Sequence, residues 1–336
     1  MEGGHPVPDA RSLQAGQRAL EFVSSLAEDD TLVCLISGGG SALVTAPYVP
    51  LEDLQSLTSL LLASGAPIDV INTLRRQLDR IKGGGLARAT KARVISLILS
   101  DVIGNPLEAI ASGPTAPDPT TKEDALEILH QYGLEKQVPY SILQHLESRS
   151  LLSETPQQAL GAHTVQNIII VDNKLAARAA LDQAEREGFQ AEILTNELQG
   201  EARQVGRDLA HRLRIEGSGR TRPFCLIAGG ETTVTIQSDG KGGRNQELAL
   251  AAVPELTGLK NSMLISMATD GDDGPTDAAG AVVTGETAQR AKSLGLDAAS
   301  HLSRNDAYPF FEALGDLLVT GPTGTNVNDL VFLCAF

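Results

Sequence analysis

The chain has 336 residues, of which 42% are hydrophobic, 21% charged and 3% aromatic, with 33 glycines and no tryptophan. This is the composition of a soluble globular α/β enzyme, and the length suits two domains. A formal net charge of -15 at pH 7 argues against nucleic acid or an anionic membrane as partner, and it obliges any anionic substrate to find a locally positive pocket.

Apolar periodicity predicts a helix over 10–26, followed by a short buried strand over 31–37 that runs into Gly38, Gly39 and Gly40. Helices are expected over 51–63 and 68–80, the latter ending at Lys82, Gly83, Gly84 and Gly85. A second buried strand over 92–99 stops at Ser100 and Asp101. The stretch 101–121 contains four prolines and is longer than an ordinary connection, which points to a functional loop. Helices over 122–130 and 141–151 follow, and a domain boundary is expected between 152 and 165, where Ser, Pro, Gln and Gly cluster.

The second half repeats the alternation. Strands are expected over 165–172, 191–195 and 223–228, with helices over 174–187 and 200–214 and a basic, glycine-rich link at 216–222. Residues 234–238 read as a hairpin partner of the 223–228 strand. A helix over 244–253, a strand over 262–267, helices over 288–294 and from Ser303 to Tyr308, and a closing strand over 328–332 complete the pattern.

The three cysteines, Cys34, Cys225 and Cys334, each lie in an apolar stretch and read as buried thiols of a reducing compartment. The six histidines are scattered without zinc spacing. No stretch has the length of a membrane helix and no signal segment is present, so a cytoplasmic location is expected.

The chemistry concentrates at strand ends. Ser37, Gly38, Gly39, Gly40 and Ser41 place glycines and hydroxyls where backbone N–H groups can cradle an anion, with a plain tight turn as the alternative. The run matches neither the dinucleotide fingerprint nor the Walker loop. Arg75, Arg76, Arg80 and Lys82 form a basic run that offers either a solvated helix face or the local positive field an anion needs. Asp101 stands at a strand's carboxyl end, placed for a metal or a hydroxyl, or for capping a helix. Gly229, Gly230, Glu231 and Thr232 repeat the strand-then-glycine logic, and Arg244 opens a helix after Gly242 and Gly243. Asp270, Asp272, Asp273 and Asp277 crowd one glycine-rich turn, an arrangement that raises carboxyl pKa values unless a cation or reacting proton holds them. It does not fit a calcium loop.

Taken together, these motifs resemble the glycerate 2-kinase family, also described as the hydroxypyruvate reductase-associated (MOFRL) family, and most closely its animal members. The residues that carry the resemblance are Gly4-His5-Pro6-Val7-Pro8-Asp9, Leu35-Ile36-Ser37-Gly38-Gly39-Gly40-Ser41-Ala42-Leu43, Ile81-Lys82-Gly83-Gly84 and Leu99-Ser100-Asp101-Val102-Ile103-Gly104. They continue with Ser112-Gly113-Pro114-Thr115, Gly229-Gly230-Glu231-Thr232-Thr233, Gly242-Gly243-Arg244-Asn245-Gln246-Glu247, the aspartate turn and Thr323-Gly324-Thr325-Asn326-Val327-Asn328-Asp329. The resemblance implies ATP-dependent, Mg²⁺-assisted phosphorylation of D-glycerate on its 2-hydroxyl. It also implies two three-layer α/β/α domains, a Rossmann-like one over 1–160 with a parallel sheet and a MOFRL-type one over 161–336, with the active site in the cleft between them. ATP and glycerate are then the partners, with no nucleic acid and no membrane; a homo-oligomer is compatible, as are the mitochondrial forms of the family.

Within that reading Asp270 accepts the hydroxyl proton or positions the metal, Asp101 joins it as a metal ligand, and Arg244 neutralises the transferring phosphate or the glycerate carboxylate. Ser37, Gly38, Gly39, Gly40, Ser41, Lys82, Gly83, Gly84, Gly229, Gly230, Glu231 and Thr232 are the expected nucleotide-binding residues. Family members start with a further segment bearing a Gly-Lys-Ala-like motif, whereas this sequence begins four residues before His5. It therefore reads as truncated in the first domain's sheet, and the alternative is a catalytically impaired form lacking that lysine. A redox role on hydroxypyruvate has no dinucleotide fingerprint behind it.

Overall fold

Asp9 opens the first helix, α1 (Ala10–Ser24): its carboxylate accepts the Arg11 and Ser12 N–H groups while Ser12 Oγ accepts the Asp9 N–H. The structure, a computed structural model, describes residues 3–4, 6–148 and 165–336. Contacts divide the chain into one unit Met1–Ile170 and a second Val171–Phe336. The boundary expected within 152–165 lies mostly outside the described residues, as do His5 and the last residues of the helix expected over 141–151.

In the first unit, β1 (Thr31–Ile36) and β2 (Arg93–Leu99) pair in parallel with Leu32 opposite Val94, and β3 (Val165–Val171) extends the sheet in the order β1-β2-β3. Between β1 and β2 lie α2 (Gly40–Leu43), α3 (Leu51–Ala63), α4 (Ile68–Gln77) and α5 (Gly85–Arg88). The proline-rich loop after β2 holds one 3₁₀ turn, Ile110–Ser112, and leads to α6 (Lys122–Gln131) and α7 (Tyr140–Glu147). Strand alternation sends Leu32 and Val94 to one face, where Val23 of α1 and Ala87 of α5 bury them. Val33 and Leu35 on the opposite face are exposed. Helices α3, α4, α6 and α7 build a separate core around Leu57, Leu74, Leu129 and Ile142.

The second unit runs α8 (Asn173–Arg186), β4 (Gln190–Leu198), α9 (Ala202–Glu216), β5 (Phe224–Gly230), α10 (Arg244–Leu256), β6 (Ser262–Ala268) and β7 (Gly280–Thr284). It closes with α11 (Thr287–Ser293), α12 (Ala298–Ser303), α13 (Ala307–Leu314), β8 (Leu317–Leu318) and β9 (Asp329–Ala335). The sheet order is β4-β5-β9-β6-β7-β8. β5 is apolar on both faces: Phe224, Leu226 and Ala228 join the core of α9 and α10, while Cys225 and Ile227 join that of α8. This unit has three layers. β9 inserts antiparallel between β5 and β6, so Asp329 at its start faces Gly230 on one side and Ala268 on the other.

Three expectations are corrected. Residues 234–238 form no strand; Thr235 N–H donates to Glu201 (3.1 Å) and Gln237 N–H to Asn305 (2.7 Å), so side chains take the backbone donors a partner strand would have used. β7 follows the aspartate turn where no strand was expected, and the closing strand runs longer, to Ala335. Among the described residues no helix is long and apolar enough to cross a membrane.

Candidate functional site

At the carboxyl end of the first unit's sheet, three loops distant in sequence meet. Gly38 is a glycine by necessity: a Cβ there would stand 1.8 Å from Asp101 Oδ2, so the Asp101 carboxylate lies against the first glycine loop. Ser41 Oγ and Ser112 Oγ are 2.7 Å apart, and Ser112 also donates to Asn72 Oδ1 at 3.2 Å. Ala111, Ser112 and Gly113 are consecutively left-handed, with φ of 51°, 61° and 61°. Two of these carry side chains, and such strain persists only where the surroundings over-determine it. Burial raises the Asp101 pKa.

Lys82, Gly83 and Gly84 join this group from below. The Gly83 and Gly84 N–H groups donate to the Ser112 and Gly113 carbonyls at 3.0 and 2.7 Å. Lys82 is 2% exposed and binds Asp79 Oδ2 (2.8 Å) and the Val44 carbonyl (3.0 Å). Asp79 in turn accepts from the Thr45 hydroxyl and the Ile81 N–H. Burial lowers the Lys82 pKa, and Asp79 opposes that. Lys82 therefore anchors the loop that supports Ser112.

In the second unit, Gly229, Gly230, Glu231 and Thr232 end β5, and Arg244 starts α10 across from them. Its guanidinium straddles two carboxylates: Nε and Nη2 donate to Asp329 (2.6 and 3.1 Å) and Nη1 to Glu231 (2.5 Å). Burial opposes the Arg244 charge, but Asp329, Glu231 and Asp273 outweigh it and hold its pKa far above the usual value. For Asp329 burial wins over Arg244 and pushes the carboxyl up, and the nearby Glu231 charge adds to it. Asn328 donates to Glu231 Oε2 at 3.0 Å. Gly229 leaves room for Asn173, whose Nδ2 holds the Val327 and Asp329 carbonyls (2.8 and 3.1 Å).

The aspartate turn does not act as one cluster. Asp270 accepts from Asn326 Nδ2 and the Asp272 N–H, both at 3.1 Å. Asp272 points to solvent, and Asp277 accepts from the Tyr308 hydroxyl at 2.8 Å, which lowers its pKa. Asp273 is buried and caps α10, accepting the Asn245 and Gln246 N–H groups at 3.1 and 2.9 Å, with burial pushing its pKa up to about 6. The turn spreads its charges over four environments. Among the described residues no group of three or more His, Cys, Asp or Glu is placed to hold a metal.

Asp101 and Asp270, read together from the sequence, belong to different units. Sequence reasoning missed Asp79, Asn72, Asn173 and the role of Asp329. Only the last carried a signal, as the end of the Thr323–Asp329 motif.

Residues 1–147 match the family model described as a domain of unknown function (DUF4147), and residues 224–329 match the MOFRL family. The chain is 45% identical over 338 residues to a D-glycerate 2-kinase of Thermotoga maritima, covering 98% of this chain and 78% of that protein. It is 42% identical over 381 residues to a glycerate kinase of Homo sapiens, covering 97% and 72% respectively. A crystal structure of glycerate kinase from Thermotoga maritima superposes with a TM-score of 0.91 at 44% identity, over 99% of this chain and 80% of that one.

Proposed function

The chain belongs to the glycerate kinase family, and on that premise we propose that it transfers the γ-phosphoryl group of ATP to the 2-hydroxyl of D-glycerate, giving 2-phospho-D-glycerate. Near-full-length similarity to glycerate kinases in both sequence and fold carries this reading. Phosphoryl transfer asks little covalent work of a protein: it needs positioning, neutralisation of the moving charge and an acceptor for the hydroxyl proton.

Asp270 is the acceptor in this reading. It is half-buried, and Asn326 and the Asp272 N–H orient its carboxylate. Arg244 has five N–H donors, of which three are committed to Asp329 and Glu231, so the remaining donors can meet a phosphate or carboxylate without breaking that frame. In the first unit, the loop of Ser37, Gly38, Gly39, Gly40 and Ser41 offers backbone N–H groups and hydroxyls to a phosphate. Lys82, Gly83 and Gly84 support that loop from behind through Ser112, and Gly229, Gly230, Glu231 and Thr232 frame Arg244.

Magnesium, when bound, neutralises phosphate charge and fixes phosphate geometry. Asp101 in the first unit and Asp270 in the second are each a candidate ligand for it, since magnesium needs only one or two carboxylates and completes its shell with phosphate and water. A cation would also offset the burial that raises Asp101.

The test is a coupled assay of 2-phosphoglycerate formation by the purified chain from D-glycerate, ATP and Mg²⁺. Turnover is expected, and Asp270→Asn should lower kcat by roughly 10²–10⁴-fold with little change in melting temperature. A folded chain that forms no phosphoglycerate overturns the reading.

A further inference from the structure

Near Ser112 the first unit buries an arginine that no carboxylate among the described residues pairs. Asn72 and Arg75 lie one turn apart on the same face of α4. Asn72 is the residue that accepts from Ser112, and Ser112 meets Ser41 of the glycine loop. Arg75 is 8% exposed, and its Nη2 donates to the Pro6 carbonyl at 3.0 Å. Among the described residues no carboxylate pairs with it.

The neighbouring buried cations are handled differently. Arg76 pairs with Asp118 at 2.7 Å and Lys82 with Asp79 at 2.8 Å. Arg75 is also close enough to Lys82 to disfavour the Lys82 charge, which burial disfavours first. Burial by itself lowers the Arg75 pKa, with no carboxylate to oppose it. A guanidinium does not shed its proton at working pH. Asp79 pairs Lys82, and among the described residues Arg75 is left with the Pro6 carbonyl and no carboxylate, inside a protein of net charge -15. A buried, unpaired charge is costly to hold, and chains keep one where a ligand completes it.

We propose that Arg75 is an oxyanion-binding residue, its fork receiving a carboxylate or phosphate group beside Asn72, which lies one turn away on α4 and accepts from Ser112. The planar pair of donors matches a carboxylate's two oxygens and serves a phosphate equally. The identity of the anion rests on the kinase reading, which supplies two sources: the glycerate carboxylate and a nucleotide phosphate. The strained turn at Ala111 and Ser112 has a purpose in this arrangement, since it holds the Ser112 hydroxyl between Asn72 and Ser41.

The experiment measures thermal unfolding of the full chain in phosphate-free, low-salt buffer with D-glycerate, with a non-hydrolysable ATP analogue or with inorganic phosphate. Wild type is compared with Arg75→Met and Arg75→Lys. The Met variant is expected to lose apparent affinity roughly tenfold or more for one organic ligand. Loss of the glycerate shift assigns the carboxylate, and loss of the analogue shift assigns the phosphate. Without ligand, Arg75→Met should melt at or above wild type, because an unpaired charge has been removed; a purely structural arginine would make it melt lower. If wild type forms no phosphoglycerate while its inorganic-phosphate shift disappears in Arg75→Met, the anion site stands and the kinase reading falls. Wild-type affinity of Arg75→Met for both organic ligands overturns the proposal. Should the Met variant fail to fold, wild-type affinities in a folded Arg75→Lys overturn it equally.

Discussion

In the first unit the loops beyond the sheet close around two cations: Lys82, which Asp79 pairs, and Arg75, which no carboxylate among the described residues pairs. In the second they close around one cation, Arg244, which serves Asp329 and Glu231 and feels Asp273 as well. Both regions grow from the same signal, a buried strand running into glycines. The first ends with a buried guanidinium that no described carboxylate pairs and with strained backbone, the second with an excess of carboxylate. The lesson concerns net charge: a value of -15 describes long-range behaviour, whereas local imbalance decides where an anion or a cation and proton are received.

The largest expected effect breaks the second region. Arg244→Ala strands the buried Asp329 and should cost about 3–5 kcal/mol of stability, with turnover falling on the order of a thousandfold. Denaturant unfolding and the coupled assay measure the two. Near-normal turnover would remove Arg244 from the site.

Lys82→Met tests whether the first region's buried pair is structural. It leaves Asp79 alone and should also destabilise by a few kcal/mol, about 3, and the double variant Lys82→Met/Asp79→Asn should recover most of that loss. No recovery in the double variant would mean that the pair is not an isolated couple.

Asp273 sharpens the contrast through pH. Its folded pKa of about 6 lies above the ordinary 3.8, so the folded chain keeps a proton that the unfolded chain has released. The stability from this is complete below about pH 4 and lost as pH rises through about 6, up to roughly 3 kcal/mol in all. Asp273→Asn should flatten that slope in melting temperatures measured from pH 4 to 7.5. An unchanged slope would place the titration elsewhere.

The smallest effect concerns strain. Ala111→Gly relieves a left-handed alanine, worth about 1 kcal/mol, against a larger unfolded-state entropy, so melting should change little or rise slightly. A marked fall would show that the Ala111 methyl group contributes packing that outweighs the strain.

Much of the fold was legible because its signals are local. Asp9 before an amphipathic run, Gly38 after an apolar one and the continuous hydrophobicity of Phe224 to Ala228 each specify structure within a few residues. Legibility failed where side chains compete with backbone pairing, as at Thr235 and Gln237, and where a carboxylate's surroundings come from elsewhere. Crowding in the aspartate turn suggested a joint cation site, yet Asp273 went to a helix end and Asp277 to Tyr308.

The sequence alone determined the α/β alternation, the glycine turns at the strand ends and the membership of Arg244 and Asp270 in conspicuous motifs. The tertiary structure decided which charges meet. Asp329 reaches Arg244 because β9 inserts between β5 and β6, and Arg75 lies buried toward the Pro6 carbonyl with no carboxylate among the described residues beside it. Turn and strand preferences act over a handful of residues, whereas the partner of a buried charge depends on which distant segment the fold lays beside it.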